Sequence, residues 1–439
     1  MKKLCIFLYI LYPVLMIAAL LLHPATAGLS SVRLGGLALG SVAYVMLCAQ
    51  LIITARIPPI ERAFGQDSLL RFHGIAALAA IALSFVHAFE IHWGLFTPRL
   101  RYGEVALALF VVLTVLALFF MSNVITGRWK GAAALQKKLY AACQLSRYHA
   151  QLLLHNLMAL AVVILFFHLA VRMKQFWDNG PFAALSVLCC VVSVACWIWH
   201  IFLRKGCAYR VTEVIREGAG MTTLRLEPAG AKVFDYMPGQ FAYFRFHDPA
   251  LTEESHPFTL SSSPKEPLAV TIKDLGDWSS RVHEIRPGSL AELDGPYGRF
   301  SPLLYPDRPS VFIAGGVGIT PMMSILHDAC LRGTKERMLL LWCVRSRDDL
   351  IRKEEWTGLQ KKLPSLTILP VLSREEAEGC AHGHLSGDIM KRAMAQCGIR
   401  PEDAAFYYCG PEPLRKTVSR IMAELHVPSD RFHEERFSL

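Results

Sequence analysis

The sequence predicts a membrane-embedded bundle of six helices, then an antiparallel β-barrel domain, then an α/β domain. Three observations carry this reading. Apolar runs near membrane-spanning length follow one another as far as Leu203. After Arg210 the pattern changes to short alternating stretches separated by turns. Further on, a strand-like Val311-Phe-Ile-Ala meets Gly315-Gly316-Val317-Gly318-Ile319-Thr320-Pro321 and a helical pattern. The 439 residues have room for such domains. An apolar content of 53% and a mean hydropathy of +0.34 are too oily for an ordinary water-soluble enzyme of this size. The expected boundaries are 1–205, 206–305 and 306–439, with Arg204-Lys205-Gly206 the sharpest step.

The six spans are expected near Leu4–Leu22, Leu34–Ile53, Leu69–Ile91, Val105–Val124, Ala150–Val171 and Phe182–Leu203. Lys2, Lys3, Arg56, Arg62, Arg71, Arg128, Lys130, Lys137, Lys138, Arg147, Arg204 and Lys205 gather on one set of flanks. The opposite loops hold only Arg33, Arg99, Arg101, Arg172 and Lys174. The richer side is expected to be cytoplasmic, which places the N-terminus and the whole C-terminal half inside a cell (inner) membrane. The net charge of +10 is then mostly topological, and no nucleic-acid partner is expected. Met1–Ala27 mimics a signal peptide, with a basic start and an Ala25-Thr26-Ala27 ending; a retained helix is the favoured reading. The outer loops hold no cysteine, so no structural disulfide is implied, and there is no CxxCH or cysteine cluster.

Four histidines lie inside these spans. The third runs from His73 to His87 and the fifth from His155 to His168. Ionisable residues at membrane depth are costly and usually functional, and imidazole is a common axial ligand of haem iron. The fourteen-residue step from His73 to His87 rises about 21 Å, and the thirteen-residue step from His155 to His168 about 20 Å. Spans three and five run in the same direction. His73 and His155 are therefore expected near the inner surface, and His87 and His168 near the outer one, as ligands of two stacked haems. Azimuth fits less well: on a straight helix His155 and His168 fall roughly 140° apart. His149 and His200 near inner helix ends read as packing residues. His92 and Arg33, at the outer mouth, are candidates for holding an anionic acceptor, beside the plainer reading of interfacial packing.

The barrel begins with Arg210-Val-Thr-Glu-Val-Ile, Thr222-Thr-Leu-Arg-Leu and Phe241-Ala-Tyr-Phe-Arg-Phe. It is followed by His256-Pro257-Phe258-Thr259-Leu260-Ser261-Ser262, where aromatic faces suit a flavin ring and Thr259 and Ser262 offer hydroxyls. In Ile272-Lys273-Asp-Leu-Gly276-Asp277-Trp278-Ser279, Gly276 lets backbone amides approach a diphosphate, Ser279 adds a donor and Lys273 a positive charge. Each signal is weak alone and strong in this order.

In the last domain a strand, a glycine loop and a helix N-terminus make a phosphate site, since free amides and the helix dipole face the anion. Arg345 and Arg347 follow the buried strand Met338–Val344; arginine there pairs with a 2′-phosphate, which favours NADPH over NADH. Tyr407-Tyr408-Cys409-Gly410-Pro411 marks a later strand end, with Cys409 expected to face the nicotinamide. Phe437, near the C-terminus, is expected to shield the flavin face.

Six spans with two histidine pairs, then HPFT, GDWS, GGVGITP and CGP in that order, resemble the NADPH oxidase and ferric reductase superfamily over nearly the whole chain. The second half resembles ferredoxin–NADP reductases. The resemblance implies FAD, NADPH or NADH, and two b-type haems. His73 and His155 would hold the inner haem, and His87 and His168 the outer. His256, Pro257, Phe258, Thr259, Gly276, Trp278 and Ser279 would line FAD. Gly315, Gly316, Gly318, Thr320, Pro321, Cys409, Gly410 and Pro411 would line the nicotinamide cofactor. The chain departs from the pattern where Ser438 and Leu439 follow Phe437. The implied activity is electron transfer from cytoplasmic NAD(P)H across the bilayer to a small acceptor outside, oxygen by preference and a ferric chelate as the alternative. A haemless, membrane-anchored flavin reductase or redox-sensing module is the second alternative. The expected partners are the lipid bilayer and the small acceptor, with any partner subunit left open.

Overall fold

The computed structural model describes residues 1–92, 102–120, 129–143, 147–172, 178–305 and 308–435. The chain divides between Arg204 and Lys205 into two compact units.

The first unit is helical: α1 (Lys2–Leu21), α2 (Ser31–Thr54), α3 (Pro58–Phe64), α4 (Gln66–His92), α5 (Tyr102–Phe120), α6 (Lys130–Cys143), α7 (Arg147–Arg172) and α8 (Gly180–Ile198). The last runs on as one π turn, Trp199–Leu203. Ser30 caps α2 by accepting from the Arg33 amide at 3.4 Å. Asn179 caps α8 through the Phe182 amide at 3.1 Å, with Pro181 in the first turn. Leu4, Phe7, Leu8, Ile75, Phe89, Val112, Val115, Leu188 and Val191 are exposed, so apolar side chains clothe the outside as well as the core. Three polar side chains inside are matched to backbone: Tyr44 donates to Ser186 O at 2.8 Å, Tyr12 to Leu185 O at 2.6 Å, and Asn179 to Ala19 O at 2.8 Å.

Among the described residues, five helices are long and apolar enough to cross a membrane: Lys2–Leu21, Ser31–Thr54, Gln66–Glu90, Tyr102–Phe120 and Gly180–Leu203. The expected fifth span lies in α7, whose apolar part, His155–Val171, is shorter because Arg147, His149 and Gln151 make its first turns polar. The end expected for the fourth span at Val124 lies outside the described residues. Helix α6 had no counterpart in the sequence reading. It exposes Trp129 just before it and Leu135 and Leu139 within it, and Gln136 ties it to Phe119 O at 2.9 Å.

The second unit holds two sheets. The first is antiparallel: β1 (Cys207–Gly218), β2 (Met221–Pro228), β3 (Phe241–His247), β4 (Ser255–Thr259), β5 (Leu268–Lys273) and β6 (Leu290–Tyr297), in the order β4-β3-β6-β1-β2-β5. Beyond the named strands, a bridge between Leu260 and Val270 joins the segment after β4 to β5. Its core alternates along the strands: Tyr209 and Val211, Leu224 and Leu226, Phe244 and Phe246, Val270 and Ile272.

The second sheet is parallel: β7 (Ser310–Gly315), β8 (Met338–Val344), β9 (Leu366–Leu372), β10 (Ala381–His382), β11 (Ala405–Cys409) and β12 (Phe432–Glu435), in the order β10-β9-β8-β7-β11-β12. Helices α9 (Thr320–Arg332), α10 (Lys353–Lys362), α11 (Gly387–Gln396) and α12 (Glu412–Glu424) pack on it. Phe312, Leu340, Trp342 and Tyr407 face one apolar layer; Val311, Ile313, Leu339, Leu341 and Phe406 face the other. Burial on both faces explains the near-continuous apolar strands. The strand order runs outward from β7 in one direction and then returns to β11 on its other side. That reversal opens a crevice at the C-terminal ends of β7 and β11.

Candidate functional sites

The crevice at the strand switch is a cavity of about 650 Å³. Gly315, Gly316 and Val317 line one wall, Gly410 and Pro411 another. Two glycines here are sterically required. A Cβ on Gly315 would stand 2.6 Å from Pro411 Cδ, and one on Gly318 would overlap the Cys409 carbonyl. Thr320 donates to Val317 O at 3.1 Å and, with Pro321, starts α9, whose first-turn amides have no partner within the helix. Lys273 reaches into this cavity; its ammonium lies 3.9 Å from the position of a Cβ on Gly316. The sequence reading gave Lys273 to a flavin diphosphate, whereas its place at the end of β5 sets it beside the glycine loop. Arg345 lines the cavity. Arg347 does not: its guanidinium donates to Glu378 O at 3.2 Å, because the 3₁₀ turn after β8 carries it past the rim. Cys409 is also outside the lining. Its side chain is fully buried at the end of β11, and the thiol that does line the cavity is Cys343, pushed up to about 12 by burial. Ser373 and His384, on loops without a local signal, also line the cavity.

The residues expected around a flavin fall into three groups. His256, Phe258 and Trp278 form one aromatic cluster, with ring centres 4.3 Å apart for His256–Trp278 and 5.7 Å for Phe258–Trp278. Pro257 lies exposed between them on the edge strand β4. Burial lowers the His256 pKa against the opposing pull of Glu254, 3.1 Å away. Thr259 and Ser262 are buried instead; Ser262 Oγ bonds Tyr236 OH at 2.9 Å and accepts from the Ala269 amide at 2.9 Å. Ser279 closes its own turn, accepting from the Leu275 and Gly276 amides at 3.0 Å each. Phe437 lies outside the described residues.

A polar seam joins the two sheets of this unit. Ser324 on α9 donates to Ser262 O at 2.6 Å, and Ser263 donates to Asp328 at 3.2 Å. His327 touches Glu266 at 3.2 Å and Glu355 at 2.7 Å. Burial would lower the affinity of this imidazole for a proton, but its two carboxylate partners outweigh burial and lift the pKa to about 9. Arg352, at φ 53°, pairs with Glu217 at 2.6 Å and donates to Thr223 at 2.9 Å. The helix that follows the glycine loop is thereby fixed to the segment that follows HPFT.

In the helical unit the four histidines pair as their depths require. The ring centres of His73 and His155 are 5.8 Å apart, and those of His87 and His168 are 6.5 Å apart, with planes crossing at 78° in both pairs. Metal–imidazole bonds of about 2 Å, with each ring centre roughly 1 Å behind its nitrogen, put two trans imidazole centres about 6 Å apart on one metal. Both pairs match that span. The azimuth mismatch on α7 does not keep the rings of either pair apart; α4 packs mainly on α2 and α7 mainly on α5. His87 Nδ1 lies 2.7 Å from Gly36 O, a carbonyl that can only accept, which makes Nδ1 the donor. The Nδ1 atoms of His73 and His155 are buried without a hydrogen-bond partner. One turn beyond His87, Glu90 holds a carboxylate oxygen that is likewise buried and unpartnered, toward Gly35. Arg33 lies in the first turn of α2; the side chains of His92 and His149 lie outside the described residues. Among the described residues no group of three or more His, Cys, Asp or Glu side chains could hold a metal, so the helical unit offers pairs and not clusters.

Comparison with known proteins identifies the second unit. The model of an FAD-binding domain matches residues 218–301, and that of an oxidoreductase NAD-binding domain matches residues 312–420. A flavohemoprotein of Bordetella pertussis is 29% identical over 243 residues, covering 52% of this chain and 60% of its own length. The glycine betaine monooxygenase reductase subunit of Chromohalobacter salexigens is 27% identical over 236 residues, covering 52% and 63%. The chain thus spans about three fifths of the curated relatives it matches. Among solved structures, the FAD/NAD-binding domain of a nitric oxide dioxygenase from Vibrio cholerae is 26% identical with a TM-score of 0.47, covering 53% of this chain and 99% of that one. The second unit therefore carries an FAD-binding domain followed by an oxidoreductase NAD-binding domain.

Proposed function

We propose that the chain carries electrons from cytoplasmic NAD(P)H through FAD and two b-type haems across a membrane to a small acceptor on the far side. The observation that carries this reading is the pair of histidine pairs, each at the span of a shared metal, in an apolar helical unit that continues into an FAD- and NAD-binding unit. An edge-to-face imidazole contact alone would also be a stable aromatic geometry. Two such contacts between the same helices, about 20 Å apart along them, favour ligation.

Flavin and haem, when bound, convert a two-electron donor into single electrons. The chain supplies the placement. Gly315–Thr320 and the first turn of α9 hold the dinucleotide phosphates, with Lys273 and Arg345 adding positive charge; Arg345, Ser373 and His384 form the place for a 2′-phosphate. His256, Phe258 and Trp278 offer flat apolar faces to the flavin. His73 with His155, and His87 with His168, hold the inner and outer haems. His87 and His168 would hold the outer haem, which would supply single electrons to the acceptor. Oxygen is the favoured acceptor and a ferric chelate the alternative. Electron movement through the helices displaces charge, so the rate responds to membrane potential.

A histidine series tests this. His87→Ala and His168→Ala should each halve haem content while NAD(P)H oxidation by an artificial flavin acceptor persists. A variant that keeps both haems would refute the ligand assignment.

A further inference from the structure

The two outer histidines are each pressed against bare helix backbone. A Cβ built on Gly40 of α2 would lie 2.5 Å from His87 Nδ1, 2.7 Å from Cε1 and 3.0 Å from Cγ. One built on Gly103 of α5 would lie 2.7 Å from His168 Cε1, 2.8 Å from Nδ1 and 3.0 Å from Nε2. Real Cβ atoms do not approach ring atoms this closely, so any other residue must displace the ring. Gly36, whose carbonyl faces His87 Nδ1, stands one turn before Gly40 on the same face of α2. One helix surface thus fixes both the tautomer and the plane of His87. Gly74, the neighbour of His73, has nothing within 4 Å of its Cβ position.

We propose that Gly40 and Gly103 are positioning residues that set the ring planes of His87 and His168 and so make the outer haem site. The inference rests on the haem reading above. Both glycines press on the Nδ1–Cε1 side of the ring they face. A methyl at Gly40 meets the Nδ1 side of His87, breaks its bond to Gly36 and turns the ring. A methyl at Gly103 meets the Nδ1–Cε1–Nε2 edge of His168, nearest Cε1 and Nδ1, and pushes the ring out of its place.

The test uses the full chain in detergent, with haem per protein from the pyridine haemochrome and a redox titration of the α band. The unsubstituted chain should hold two haems with two midpoints. Gly103→Ala should fall to one haem with the inner midpoint unchanged. Gly40→Ala should lose the outer haem or shift only its midpoint. Gly74→Ala should keep both haems and both midpoints. If a glycine variant loses all haem, the double variants His168→Ala/Gly103→Ala and His87→Ala/Gly40→Ala decide: without the ring there is no clash, so each should retain the inner haem as its histidine single variant does. Failure of the doubles to do so overturns the inference. Two haems at unchanged midpoints in both glycine variants overturn it while leaving the haem reading intact. An unsubstituted chain purified without haem overturns both.

Discussion

Replacing His327 by glutamine should remove a pH-dependent tie between the two nucleotide-binding domains. His327 bridges Glu266 and Glu355, and its pKa stands at about 9 against an ordinary 6.5. A base whose pKa is raised by folding binds more protons in the folded state. Its contribution is fully present below about pH 6.5 and is lost as pH rises through about 9. The difference corresponds to an upper figure of about 3 kcal/mol, and solvent screening at the two carboxylates, each a third exposed, brings it toward about 1–2 kcal/mol. With a urea dependence of about 2 kcal/mol per molar, the midpoint should move by roughly 0.5–1 M. The assay is pulse proteolysis of the detergent-solubilised full chain across urea, following survival of the second unit. At pH 7 the variant should unfold at lower urea than the unsubstituted chain, and the gap should close by pH 10. The lowered pKa values of His256 and His433 act on the acid side of 6.5 and leave this window clear. A gap that stays constant from pH 6 to 10, or no gap at pH 7, would refute the reasoning.

Three further outcomes are expected. Arg345→Ala should raise KM for NADPH roughly 10–100-fold, the loss of one charge-assisted phosphate contact, with little change for NADH, whereas Arg347→Ala should leave both alone because that side chain is turned to Glu378. Equal effects of the two arginines would contradict the placement. Lys273→Ala should raise KM for both nucleotides by a similar factor while leaving bound FAD unchanged; loss of FAD would return Lys273 to the flavin diphosphate. Imidazole planes crossing at 78° in both pairs should give strongly anisotropic low-spin ferric EPR signals, and a pair of ordinary rhombic signals would speak against these ring orientations.

How much of this was legible in the sequence depends on the range of each interaction. The glycine loop was, because strand, loop and helix are contiguous and Gly315 and Gly318 answer to local backbone approach. The pairing of His73 with His155 and of His87 with His168 was legible from helical rise, but not which helices would flank the rings, since packing of α4 on α2 and α7 on α5 is set by whole helix surfaces. Side-chain direction at strand ends was not legible. Cys409 ends β11 and Cys343 stands one residue before the end of β8, and of the two only Cys343 lines the crevice. Ser262 looked like a flavin contact from its place in the motif, yet its hydroxyl is taken by Tyr236, 26 residues earlier. The seam residues His327 and Arg352 gave no signal at all, because their partners lie far away in the chain. Gly40 and Gly103 read as ordinary small residues in apolar helices until the rings they meet are in view.

The central claim is that electrons pass from the nucleotide-binding unit into haem held by the four histidines. An anaerobic visible spectrum of the purified chain, before and after NADPH, tests it most directly. Sharpened and shifted Soret and α bands on addition of NADPH are the predicted result. Flavin bleaching with no haem band, from protein purified in the presence of added haemin, would contradict it and reduce the four histidines to helix-packing residues.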